Sequence, residues 1–216
     1  MGCCVSTPRD PLFALRTATL AEANVDGICV GLIGEWLRNL PNSPRSRMNA
    51  LEPESKAHRA AAEMQDKYQD IRARLRREGV NHSEANMRAK NTVLREATGL
   101  ELIGEESVYS FDKPEERLRM RQQITADGSK HLLSLRFADV QPRHAIATSA
   151  SNGEITLFDP NYGEFTGPSE ESWTKELFQR LSNRYRSPNG LIISTITTQE
   201  MRKQGEGASL ANSQNS

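Results

Sequence analysis

Three residues of this 216-residue chain have side chains and settings suited to nucleophilic catalysis: Cys29, His144 and Asp159. Cys29 follows a polar loop ending at Gly27 and opens a segment in which Leu32, Ile33, Trp36, Leu37 and Leu40 recur at helical spacing. A thiol in the first turn of a helix sits among unpaired backbone N–H groups at the positive end of the helix dipole, which favours the thiolate, its reactive form. The same turn offers the Cys29 backbone N–H as an oxyanion donor, and Asn24, five residues upstream, offers a side-chain amide as a second. A cysteine beside Leu32 and Trp36 also reads as a small hydrophobe on a core helix. What separates the two readings is whether a base and an acid reach it from elsewhere in the chain.

His144 and Asp159 flank a predicted hairpin, Ala145 to Ser149 and Glu154 to Phe158, turning at Asn152-Gly153. A two-residue loop there sets Ile146 opposite Asp159. His144 then lies on the same face and diagonal to the acid, within hydrogen-bond reach. In that arrangement His144 takes the thiol proton and later returns it to a leaving amine, while Asp159 fixes the imidazole tautomer and stabilises its charged form. Taken singly, His144 also reads as a hydrogen-bonded strand residue and Asp159-Pro160-Asn161-Tyr162-Gly163 as a turn.

The elements that must position these groups divide by character. After the Cys29 helix, Pro41-Asn42-Ser43-Pro44 is a stop. Glu54 to Glu78 is a long helix with a stripe of Ala57, Ala61, Met64, Tyr68, Ile71 and Leu75 toward the core, and Arg72, Arg74, Arg76 and Arg77 on a solvated outer face. A second helix runs from a Ser83 cap to Thr98 with Gly99 as its stop, and a short one follows Pro114 to Gln123. Strands are predicted at Leu132 to Val140, in the hairpin, and at Leu191 to Thr198, with an amphipathic helix over Ser172 to Tyr185 between them. His58 and His82 lack metal-ligand spacing to any Cys or His, so neither a metal nor a cofactor is expected.

Lys and Arg total 28, as do Asp and Glu, so no net charge draws the chain to nucleic acid. Three cysteines, two of them adjacent, give no disulfide framework, and no apolar run is long enough to span a membrane. The opening Met1-Gly2-Cys3-Cys4-Val5-Ser6 matches the N-myristoylation pattern with Gly2 as acceptor. Cys3 and Cys4 are then candidates for palmitoylation, the second acyl signal that turns marginal membrane binding into a stable anchor.

The stretches Asp26-Gly27-Ile28-Cys29 with Trp36, Arg143-His144-Ala145-Ile146-Ala147, and Phe158 to Gly163 resemble the three signature blocks of the YopT/AvrPphB family of bacterial type III effector cysteine proteases. The Gly2-Cys3-Cys4 start resembles its acylated members, the rhizobial NopT-type effectors above all. The resemblance implies a papain-like fold with Cys29 as nucleophile, His144 as base, Asp159 as orienting acid and Asn24 at the oxyanion hole. It also implies injection into a host cell, acylation there, and cleavage of a protein at the cytoplasmic face of the host plasma membrane, such as a receptor-like cytoplasmic kinase or a prenylated small GTPase. Acylated relatives commonly remove their own pro-segment. This chain begins at the equivalent point, so it is expected either to be already trimmed or to need only loss of the initiator Met. Relatives that cut after an Asp-Lys pair direct attention to Asp66-Lys67 and Asp112-Lys113, one within a predicted helix and the other before Pro114, and neither is a good internal site.

The expectation is an α/β (α+β) monomer: a leash over 1–23, a papain-like domain over 24–200 with a helical part packed on a mostly antiparallel sheet, and a disordered tail over 201–216. Two rival functions use the same residues. One is acyl transfer by the same Cys-His-Asp chemistry, as in acetyltransferases and transglutaminases. The other is a lipid-anchored adaptor in which Cys29 is structural and the Ala57 to Leu75 stripe binds a partner.

Overall fold

The computed structural model describes residues 14–20, 27–138, 140 and 143–204. Its elements run β1 (Ala18–Thr19), α1 (Cys29–Arg38), α2 (Pro44–Ala50), α3 (Lys56–Arg77), α4 (His82–Thr98), β2 (Leu100–Ser110), α5 (Pro114–Ile124), β3 (Lys130–Phe137), β4 (Arg143–Ser151), β5 (Glu154–Asp159), β6 (Gly163–Pro168), α6 (Glu171–Arg186) and β7 (Ile193–Lys203). The strands form one antiparallel sheet in the order β1-β6-β5-β4-β3-β7-β2.

Both faces of the sheet are covered, and the two-residue pleat sorts side chains between them. Leu132, Ala145, Ala147 and Phe158 join the core shared with α1, α3 and α4, while Leu133, Ile146, Ile155 and Leu157 join that of α5 and α6. The Ala57 to Leu75 stripe is therefore mostly occupied: Ala61 and Tyr68 are buried, and Ala57, Met64 and Ile71 pack against the same core. That leaves the stripe little free surface for the adaptor's partner.

Two contacts lock α1 over the sheet. Trp36, fully buried, stacks on Phe158 with ring centroids 5.3 Å apart and planes 11° from parallel. Its indole N–H donates to Glu164 Oε2 at 2.8 Å, and Arg47 from α2 closes a bidentate pair with the same carboxylate at 2.8 and 2.5 Å. Glu164 is wholly inside the protein, so this pair is held by hydrogen-bond geometry in a low-dielectric setting.

Several elements differ from expectation. Pro44 does not simply end α1: with the Ser43 hydroxyl accepting from the Ser46 N–H, it starts α2 at N1, where proline costs no hydrogen bond. Strand β2 has a register shift between Ile103 and Ser107, with Gly104 at φ 66°, which erases its alternation in the sequence. Asn81 rather than Ser83 caps α4, accepting from the Glu84 N–H at 2.9 Å, whereas Gly99 ends it in the left-handed conformation as predicted. Residues 14–20, read as leash, are tied into the fold: Leu20 is buried and β1 pairs with β6. That pairing needs Gly163, where a Cβ would stand 2.4 Å from the Ala18 carbonyl oxygen. Strand β7 continues to Lys203, past the boundary expected at 200, and most of the predicted tail lies outside the described residues.

Candidate active site

Cys29 is the first residue of α1, half-buried at the lip of a cleft of about 790 Å³. Helices α1, α3 and α4 supply one wall, and the ends of β3 and β4 the other. The hairpin register, with Ala147 opposite Phe158 and a loop at Asn152-Gly153, is the one predicted, and it carries Ile146 to the level of Asp159. His144 Nε2 lies 2.8 Å from Asp159 Oδ1.

The tautomer follows from what surrounds the acid. Asp159 is fully buried; its Oδ1 also accepts the Asn161 backbone N–H, and its Oδ2 accepts the Tyr185 hydroxyl, each at 2.8 Å. The Tyr185 oxygen itself accepts from Asn161 Nδ2 at 3.1 Å, so its own proton points to the carboxylate. Asp159 is thus an acceptor on all sides, the His144 proton sits on Nε2, and Nδ1 is left for the Cys29 thiol, which is in hydrogen-bond contact with His144. Tyr185 also holds the imidazole by ring contact, with centroids 5.8 Å apart. In the sequence Tyr185 is only the end of the predicted helix from Ser172, and nothing in its spacing marks a partner of Asp159.

Burial opposes a charge on His144, yet the carboxylate and hydrogen bond of Asp159, together with Cys29, raise it to about 10. Burial pushes the Cys29 thiol up, but the hydrogen bond and charge of His144, the Ala145 backbone and the Lys90 ammonium outweigh it and bring the thiol below its ordinary value of 9.0. The thiol therefore ionises before the imidazolium does, and between the two the pair is thiolate and imidazolium. Such a pair can attack a carbonyl carbon and then protonate the group it expels.

The cleft is cationic although the whole chain is neutral. Arg72, Lys90, Arg136 and Arg143 line it, without a single Asp or Glu among the lining residues. Lys90 is 5 % exposed and donates to Ser134 Oγ at 2.8 Å, with no carboxylate in ion-pair range among the described residues. Arg72, expected on the solvated outer face, instead lies over the Tyr68 ring at 5.5 Å and faces the cleft. Of the other residues expected to act, Asn24, Gly2, Cys3 and Cys4 lie outside the described residues. Among the described residues no group of three His, Cys, Asp or Glu is placed to hold a metal ion.

Residues 9–201 match the model of the Peptidase_C58 family, described as Yersinia/Haemophilus virulence surface antigen. The chain belongs to this family. A protein of Bradyrhizobium diazoefficiens assigned as a YopT-like cysteine protease is 54% identical over 91% of this chain and 73% of its own length. A second YopT-like relative, from Sinorhizobium fredii, is 48% identical over 93% of this chain and 81% of its own. The cysteine protease avirulence protein AvrPphB of Pseudomonas savastanoi pv. phaseolicola is 34% identical over 78% of this chain and 62% of its own. The AvrPphB crystal structure has the same fold, with a TM-score of 0.78 and 28% identity over 88% of this chain and 99% of that one. This member of the YopT/AvrPphB family is a cysteine peptidase with an α+β fold.

Proposed function

We propose that this cysteine peptidase is a secreted effector that enters a host cell, is acylated at Gly2, Cys3 and Cys4, and cuts a host protein at the plasma membrane with Cys29, His144 and Asp159. The observation that carries the catalytic part is the His144–Asp159 bond of 2.8 Å at the mouth of the cleft, with Cys29 in contact with the same imidazole at the start of α1.

In this reading the Cys29 thiolate attacks the scissile carbonyl and forms a C–S bond. The carbonyl oxygen becomes an oxyanion held by the Cys29 backbone N–H and the Asn24 amide. His144 Nδ1 passes its proton to the departing amine as the C–N bond breaks, leaving a thioester on Cys29. Water then loses a proton to His144 and attacks the thioester; the C–S bond breaks, the acid product leaves, and the sulfur leaves as thiolate beside the imidazolium. Asp159 keeps the ring oriented throughout and stabilises its positive form.

The charge of the cleft supports a substrate segment with an acidic side chain near the scissile bond: Arg72, Arg136 and Arg143 line it with no Asp or Glu among the lining residues, while the buried Lys90 already feels the charges of Glu106 and Cys29. The N-terminal Gly2-Cys3-Cys4 pattern supports membrane-associated substrates such as a receptor-like cytoplasmic kinase or a prenylated GTPase.

The test is labelling of the purified protein with E-64, an epoxide that alkylates activated thiolates, followed by mass spectrometry. Wild type is expected to label rapidly at neutral pH at Cys29 alone, with a rate reduced about 10²-fold or more in His144→Ala. Slow labelling with an ordinary thiol pH profile that His144→Ala leaves unchanged would overturn the assignment of the triad.

A further inference from the structure

Among the described residues, the helix that carries Cys29 has no side-chain cap of its own. Ile28 stands at its N-cap position and brings no side-chain oxygen to the first turn. Normally an Asn, Asp, Ser or Thr there accepts from the second or third backbone N–H. Here the acceptor comes from another helix: Oε1 of Gln65, in α3, takes the Val30 and Gly31 N–H groups at 3.1 and 3.3 Å. Leu32 N–H is already bonded to the Ile28 carbonyl at 3.0 Å. The four donors of the first turn without an intrahelical partner are those of Ile28, Cys29, Val30 and Gly31; Gln65 takes two of them, and among the described residues nothing accepts from the Cys29 N–H.

This contact depends on the α1–α3 approach. A Cβ on Gly31 would lie 1.9 Å from the Ala61 carbonyl oxygen, so only glycine lets the two helices meet this closely, and Gln65 follows Ala61 by one helical turn. Gln65 is 5 % exposed yet lines the cleft beside Cys29. With two backbone donors fixing its oxygen, its amide nitrogen must point the other way, and among the described residues nothing accepts from it.

We infer that Gln65 is a positioning residue for catalysis. By capping α1 from α3 it fixes the turn that carries Cys29 and keeps the Cys29 N–H free to hold the oxyanion. The inference rests on the assignment of Cys29 as nucleophile. The charged and titratable groups that line the cleft around that turn are His144 and Arg143 from β4, Lys90 and His82 from α4, and Arg72 and Tyr68 from α3, of which His144 and Lys90 act on the thiol by charge, so a neutral cap leaves their field intact. A carboxylate in the same place would keep both backbone bonds but set a negative charge beside the thiolate.

Two variants separate positioning from simple packing. Gln65→Met keeps side-chain length and removes the acceptor; Gln65→Glu keeps the acceptor and adds the charge. E-64 labelling rate is measured from pH 4 to 10.5, normalised to the folded fraction by circular dichroism. Gln65→Met is expected to label at least tenfold more slowly than wild type. Gln65→Glu is expected to melt near wild type while its whole profile moves at least half a unit to higher pH, because the added charge holds protons on both Cys29 and His144. Should Gln65→Met not fold, the displacement in Gln65→Glu decides alone. A wild-type rate and profile in either folded variant, or losses that only follow the unfolded fraction, would overturn the inference. Wild type that itself fails to label removes the nucleophile assignment and this inference with it.

Discussion

At the scale of single residues, the chemistry turns on how far Asp159 biases its neighbours. Its negative charge is a principal cause of the elevated His144 pKa, so Asp159→Asn should bring that value down from about 10 toward the ordinary histidine range. A less charged imidazole in turn supports the thiolate less, and the Cys29 pKa should rise. The window in which thiolate and imidazolium coexist then closes from both sides. In an E-64 profile the alkaline limb of Asp159→Asn is expected at lower pH and the acid limb at higher pH than in wild type, with a lower maximum. An unshifted alkaline limb would show that His144 does not set it. The acid–base pair was legible in the sequence because hairpin register is arithmetic: a two-residue loop fixes which residues face each other. Tyr185 and Gln65 were not, because their partners lie 26 and 34 to 35 residues away on other elements, and no local period encodes such a meeting.

At the scale of elements, the close crossing of α1 and α3 is the feature most exposed to a small change. Gly31→Ala places a methyl against the Ala61 backbone, which cannot rotate aside, so the helices must separate. A cost of about 1–3 kcal/mol is expected from overpacking, readable as a lower urea midpoint. Helix separation should also lengthen the Gln65 bonds and slow E-64 labelling in molecules that remain folded. The long helices and the hairpin were readable because their patterns are long and periodic or closed by Asn-Gly. Strand β2 was hidden by its bulge at Gly104, α2 by a proline that ends one reading and begins another, and β6 by its brevity and its Gly and Pro content. Each of these is decided by contacts outside the segment itself.

At the scale of the whole molecule, Glu164 joins the helical layer to the sheet through Trp36 and Arg47. Glu164→Ala would strand a buried guanidinium, and a loss of about 3–5 kcal/mol is expected, measured by urea unfolding. Replacing Arg47 as well, in Arg47→Met with Glu164→Leu, should recover only part of that loss: the buried charge is gone, but the Trp36 indole N–H still lacks its acceptor, at a cost of about 1–3 kcal/mol. The edge pairing of β1 with β6 has a further consequence. With Leu15 packed against the core just before it, this pairing roots the N-terminal arm at one fixed point on the sheet, leaving twelve residues, or thirteen Cα-to-Cα steps, between Gly2 and Leu15. Fully extended, that length reaches roughly 45 Å. An acyl chain on Gly2 would therefore give the enzyme a radius of action: it patrols a shell only a few nanometres deep above the bilayer, and proximity to the lipid becomes part of what selects its substrate.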